Sequence, residues 1–267
     1  MQRLTLILLP TLLLAQGPRT REMEGLNWME FQKLVPAQIN TVLLPVGTVE
    51  AHGVTHNGTD NTIPTMMARR MAPALNALVA PTLNYGITGS LDAFAGGFTI
   101  SPAAYKAFVA DLLRGLAKNG FKNILVVNGH GGNTAALEEV AEAVGSERRV
   151  RILIVNWWGY CSDLTLSIFG EDGGHAGWNE TAMVQATHPD WVRQELYTEA
   201  LASPRAVPGS WSAYPFPSSI ILYQPKQGLP RFDTTKAKQY FEACTDKVQG
   251  LAQDVIRKWD LAKLFVP

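Results

Sequence analysis

The sequence predicts an α/β fold with a mostly parallel sheet covered by helices on both faces. Apolar, strand-like runs alternate with helix-like segments from Asn40 to Tyr160, as in crossover-connected parallel sheets. At 267 residues and 46% hydrophobic content, the chain can furnish a sizeable core.

The first segment, "MQRLTLILLPTLLLAQG", stands apart: Arg3 precedes an apolar run from Leu4 to Ala15, followed by small residues. This run is short for a bilayer span and reads as a signal peptide over residues 1–17, leaving one domain over 18–267 that is secreted or periplasmic. Cys161 and Cys244 fit either a disulfide or two buried thiols. No other stretch is apolar enough to span a membrane. Acidic and basic residues balance at 23 each, so neither a nucleic-acid footprint nor a polybasic membrane patch is present. A small molecule is the expected partner.

"LNWMEFQKLV" reads as a short helix and "NTVLLPVG" as a strand ending at Gly47. "NTIPTMMARRMAPALNAL" reads as a helix with Pro64 near its first turn and Asp60 just before it, and "LVAPTL" as the next strand. A glycine-rich loop, "YGITGSLDAFAGGFTI", is long enough to suggest function. The helix "SPAAYKAFVADLLRGLAKNG" has Ser101 as cap, Pro102 in its first turn, Gly120 at its end, and Tyr105, Phe108, Leu112 and Leu116 as its expected buried face. The strand "KNILVVN", the helix "TAALEEVAEAVG" and the strand "VRILIVNWWGY" follow. A Pro-, Ser- and aromatic-rich excursion over 202–231 precedes a last helix from Asp233 to about Leu261.

Chemistry gathers at the ends of the predicted strands, where parallel sheets bind ligands. Glu50 and His52, two apart in extended chain, point the same way. Asp60 fits either a helix cap or a ligand, and His130 ends a strand beside glycines that permit close approach. His175 and Glu180 form a third group in "GGHAGWNET". Histidines and carboxylates converging on one face suit zinc, manganese or iron rather than calcium. His56 reads as a neighbour of such a site and His188 as a loop residue. Trp157 and Trp158 beyond a strand end fit a pocket wall or ordinary packing; Tyr85 and Asp92 are weaker substrate contacts.

The motifs "LLPVGTVEAHG…GTD", "YGITGS", "GGFTISP", "NGFKNILVVNGHGGN" and "HAGWNET", in this order from about Asn27 to Thr187, resemble the creatininase family of metal-dependent amidohydrolases. The resemblance implies a three-layer α/β/α fold, a homo-oligomer (often a hexamer), and one or two divalent ions. It marks Glu50, His52, Asp60 and His130 as ligands, with Asp60 able to bridge. His175 matches a proton-transfer histidine, and Glu180 a carboxylate supporting the metal or the attacking water. There are departures. The run between Glu50 and Asp60 is one residue shorter than usual and has "VTHN" in place of a Pro-His-Leu-Pro segment; Gly132 stands where creatininase has a metal-binding glutamate, and Trp178 where a glutamate often follows "HAG".

The expected function is hydrolysis of a C–N bond in a small linear or cyclic amide other than creatinine. Hydrolysis of a non-amide bond in a modified sugar or lactone, and idle metal or solute binding, are the alternatives.

Overall fold

A computed structural model describes residues 17–205, 209–222, 224 and 226–265. The expected leader lies outside these residues apart from Gly17. Four parallel strands, β1 (Thr41–Val46), β2 (Ala77–Val79), β3 (Asn123–Asn128) and β4 (Arg151–Asn156), form a sheet in the order β2-β1-β3-β4. Register pairs Val46 with Asn128 and Asn128 with Asn156, so three strands end level. The helices are α1 (Trp28–Leu34), α2 (Thr59–Met71), α3 (Pro102–Lys118), α4 (Thr134–Arg148), α5 (Trp157–Tyr160), α6 (Ser162–Phe169), α7 (Trp178–Thr187) and α8 (Thr234–Leu261).

Side chains alternate across the pleat, so each strand serves two cores. Val42, Leu44, Val46, Ile124 and Val126 pack under α1, α3 and α4, whereas Leu43, Leu125, Val127 and Val155 pack under α2, α7 and α8. This is the three-layer α/β/α arrangement. From β1 the chain crosses to β2 on one side, and later returns to β3 and β4 on the other. The direction therefore switches between β1 and β3, leaving a crevice at their carboxyl ends.

Several expected details differ. The second helix stops at Met71; it also begins at Thr59, which puts Asp60 inside its first turn and Pro64 in its interior. Ser101 and Pro102 do start α3, but its buried side chains are Tyr105, Val109, Leu113 and Leu116, while Phe108 is 53% exposed. Both rows have helical spacing, and the apolar band is wider than the stripe the sheet covers. β4 ends at Asn156, where the chain turns into α5. The excursion over 202–231 holds a small parallel pair, β5 (Ala202–Pro204) and β6 (Ile220–Leu222). Cys161 and Cys244 form a disulfide between the start of α6 and the middle of α8, which decides between the two readings.

Candidate metal centre

Each strand end delivers a different part of the site. Beyond β1 the chain carries Glu50 and His52, beyond β3 it carries His130, and α2 brings Asp60 between them. That approach depends on glycine. A Cβ on Gly47 or Gly129 would lie 2.3 or 2.0 Å from the Asp60 carbonyl oxygen, so only bare backbone lets α2 dock against both strands. Pro64, lacking an N–H, cannot give that carbonyl its usual helical hydrogen bond.

The three site histidines are fixed alike. His52 Nδ1–H donates to the Glu50 carbonyl (3.1 Å), His130 Nε2–H to the Ile87 carbonyl (2.9 Å) and His175 Nε2–H to the Ala51 carbonyl (2.6 Å). Because a carbonyl only accepts, each ring turns its other nitrogen inward. His52 Nε2 lies 2.9 Å from Asp60 Oδ1 and 3.7 Å from Glu180 Oε2; His130 Nδ1 lies 2.8 Å from Asp60 Oδ2 and 3.3 Å from Glu50 Oε1. His175 Nδ1 is 3.5 Å from Glu50 Oε1, and its ring centroid is 4.3 Å from that of His52. Asp60 thus turns one oxygen to each of two trios, His52, Asp60 and Glu180, and Glu50, Asp60 and His130; a third group, Glu50, His52 and His175, also brings its donor atoms together.

Two atoms test whether a cation fits. Glu50 Oε2 is buried with no hydrogen-bond partner, and His52 Nε2 forms no hydrogen bond despite its 2.9 Å approach to Asp60, the carboxylate lying off its bonding direction. Buried donor atoms left without a hydrogen-bond partner inside a cluster of imidazoles and carboxylates are what metal ligands present. The donor set of imidazoles and carboxylates suits zinc, manganese or iron.

Electrostatics agree. Burial opposes charge on His52, but the Asp60 carboxylate outweighs it and raises the ring to about 10. Burial likewise opposes charge on His130, which hydrogen bonds to Asp60 and Glu50 nonetheless raise well above its ordinary value. Burial lifts Glu180 to about 8 and raises Glu50 too. Asp60 is held low: burial is overcome by His52 and His130. Without a cation the cluster fills with protons; a cation entering it displaces them. His175 differs, because burial and the neighbouring His52 push it down to about 3. Its ring is neutral, with Nδ1 as an acceptor.

A cleft of about 640 Å³ opens over this cluster. Trp158 lines it, but Trp157 does not: fully buried among Leu43, Val155 and Tyr240, it packs in the core. Consecutive residues at the turn into α5 point in opposite directions. Tyr85 lies outside the cleft, 49% exposed and edge-on to Phe98. Asp92 does not line it either, whereas its neighbour Leu91 does. His56 hydrogen bonds Thr62 and stands edge-on to Trp191, which also stacks on His188; neither histidine joins the cluster.

The structure adds residues beyond those singled out from the sequence. Asn133, fully buried, donates to the Gly47 carbonyl and accepts from the Ile87 N–H, clamping the loop whose carbonyl orients His130. Its place at the end of "GHGGN" was the available clue. Arg205 and Phe216 reach the cleft from the excursion, and Asp172 and Asn179 from around His175. Ala176, at φ 52°, turns its N–H onto Glu180 Oε2 at 2.5 Å.

A family model described as creatininase, creatinine amidohydrolase, matches residues 24–251. The chain belongs to the creatininase family. It is 29% identical over 188 residues to the creatinine amidohydrolase of Pseudomonas putida, covering 62% of this chain and 72% of that protein. With the mycofactocin precursor peptide peptidase of Mycobacterium ulcerans it shares 28% identity over 184 residues, 64% of this chain and 68% of the other. The 3-dehydro-scyllo-inosose hydrolase of Thermotoga maritima is 23% identical over 258 residues, 85% of this chain and 81% of its own. Among solved structures, a manganese form of creatininase superposes with a TM-score of 0.74 at 24% identity, covering 88% of this chain and 98% of that one. This creatininase-family chain is a hydrolase, with a fold and candidate ligand groups that fit metal-dependent cleavage of an amide bond.

Proposed function

We propose that the protein hydrolyses a C–N bond of a small amide with divalent ions, zinc, manganese or iron, which two residue sets that share Asp60 would hold. The observation that carries this reading is the opposite facing of the two Asp60 oxygens, each toward its own histidine and glutamate. Glu50, His130 and Asp60 Oδ2 would hold one ion; His52, Glu180 and Asp60 Oδ1 would hold the other. Glu180 thereby supplies a carboxylate that Gly132 cannot. When bound, the ions supply Lewis acidity for the substrate carbonyl and lower the pKa of a water.

The chain's own residues do the rest. His175, held by Ala51 through Nε2, presents Nδ1 to the cleft floor beside Glu50. As water oxygen bonds to the carbonyl carbon, Nδ1 takes a water proton. It then gives that proton to the departing nitrogen as the C–N bond breaks, leaving a carboxylic acid and an amine; the acid's proton, the second from the water, then passes to the amine or to solvent. Trp158 and Phe216 shape the wall and limit water.

His175→Asn is expected to retain metal while turnover falls by roughly two to four powers of ten, the range of a general acid–base group. Metal content by mass spectrometry and a single-turnover assay on an amide panel check this. Metal loss as severe as in His130→Ala would make His175 a ligand instead.

Cleavage of a bond in a keto-sugar is the second reading, favoured by the long Thermotoga maritima alignment. Including keto-sugars and lactones in the same panel separates the two. The names of the Pseudomonas and Mycobacterium relatives support the amide. Export is part of the proposal: the Cys161–Cys244 disulfide suits an oxidising compartment. The mature protein from its native host should begin near Gln16 or Pro18, and a retained Met1 on most molecules would refute export. Assembly into a homo-oligomer, often a hexamer in the family it resembles, is proposed on that resemblance; it would give exposed Phe108 a partner.

A further inference from the structure

Asn179 sits in the first turn of α7, one residue before Glu180, and lines the cleft although only 5% exposed. Its amide orientation follows from its neighbours. The Gly174 N–H donates to Oδ1 at 3.1 Å, so that atom is the oxygen and Nδ2 points elsewhere. The contact is possible because residue 173 is glycine: a Cβ there would lie 2.2 Å from Oδ1.

The two Nδ2 hydrogens find no acceptor among the described residues. Nor is Nδ2 one of the sealed polar atoms, such as Glu50 Oε2, that have neither partner nor solvent; it meets the cleft. A side chain anchored by its oxygen, with two donors unspent beside a glutamate of the candidate metal cluster, is prepared for an acceptor on a ligand. Loop anchoring alone would use only the oxygen.

We infer that Asn179 holds and polarises the carbonyl oxygen of a planar amide substrate. The inference rests on the amide-hydrolase reading above and extends it. Negative charge grows on that oxygen as water adds to the carbonyl carbon, and a donor already in place needs no reorganisation to meet it. Asp172, Glu50, Asp60 and Glu180 offer carboxylates to the same cleft, so a neutral donor next to them selects a carbonyl oxygen without adding charge.

Acetohydroxamate, a small planar amide analogue, is the probe, titrated by calorimetry into zinc-loaded protein. Two variants isolate the donor. Asn179→Asp keeps the acceptor for Gly174 but loses the Nδ2 donors; Asn179→Leu loses the anchor but stays neutral. Both are expected to weaken acetohydroxamate by tenfold to a hundredfold, on the order of one lost hydrogen bond to a buried group, with zinc content unchanged. Equal affinity in either variant, or zinc loss in both, would overturn the inference. If wild-type protein takes up no zinc, manganese or iron, the functional reading itself fails and this inference falls with it. If wild type binds metal and probe while the variants match it, the role of Asn179 alone is refuted.

Discussion

Asp60→Ala is expected to strip the metal site and lower turnover by roughly four powers of ten, the scale seen when one member of a group that acts as a unit is removed. The size follows from shared geometry. Two of the three candidate trios include Asp60, so one substitution removes a candidate ligand from each and the charge that balances His52 and His130. His188→Ala, a change at a ring stacked on Trp191 away from the cluster, is expected to leave metal and activity intact. Elemental analysis of both variants beside wild type checks this, and full metal content in Asp60→Ala would refute the bridging arrangement. Thermal unfolding should accompany it, to separate metal loss from misfolding.

Gly132→Glu is the second large effect, and its direction is opposite to what family resemblance suggests. Restoring the glutamate of creatininase looks like adding a ligand. Here, however, a Cβ at Gly132 would lie 2.0 Å from the Ile87 carbonyl oxygen and 2.6 Å from His130 Nε2. The Ile87 carbonyl is the group that fixes the His130 ring, and Asn133 holds the Ile87 N–H. The variant must therefore push the loop away or unseat the histidine. A backbone clash of this kind costs on the order of 3–5 kcal/mol, which lowers Tm by roughly 10 °C in a domain of this size. Metal affinity is expected to fall with it. Tighter metal binding at unchanged Tm would show that the loop over 85–100 yields without cost and that Gly132 is a lost ligand only.

The part of the site legible in the sequence is the part built by short-range rules. Strand ends in a parallel sheet converge on one edge, so Glu50, His52 and His130 could be grouped from the strands that precede them, and Asp60 from the motif it closes. Exact helix entry was not legible: Gly58 supplies no side-chain cap, and α2 starts one residue before Asp60. Trp157 and Trp158 were inseparable because neighbouring residues share one composition signal while a turn sends them to opposite sides. The α3 face slipped from Val109 and Leu113 to Phe108 and Leu112 because a wide apolar band offers two helical rows, and only the sheet decides which is covered. Arg205 and Phe216 come from an irregular excursion whose path is set by tertiary packing of Ile220 and Leu222 against Ala176. No periodicity reports such contacts. Asn179 stood inside a quoted motif, but what marks it is Gly173, and the space a missing Cβ leaves is visible only in three dimensions.

The disulfide gives the site an uneven covalent topology. Cys161 and Cys244 close a ring of chain that contains α6, α7 and the whole excursion. His175, Asn179, Glu180, Arg205 and Phe216 are inside it; Glu50, His52, Asp60 and His130 are outside. A crosslink of this span removes roughly 4–5 kcal/mol of chain entropy from the unfolded state on the polymer estimate. The ring carries the Phe216 and Arg205 part of the wall and the proposed proton-handling side of the cleft, while Trp158 and most of the candidate ligands lie outside it. Changes of length or sequence in the ringed segment would thus alter one wall of the cleft while the candidate ligands at the strand ends keep their own covalent frame.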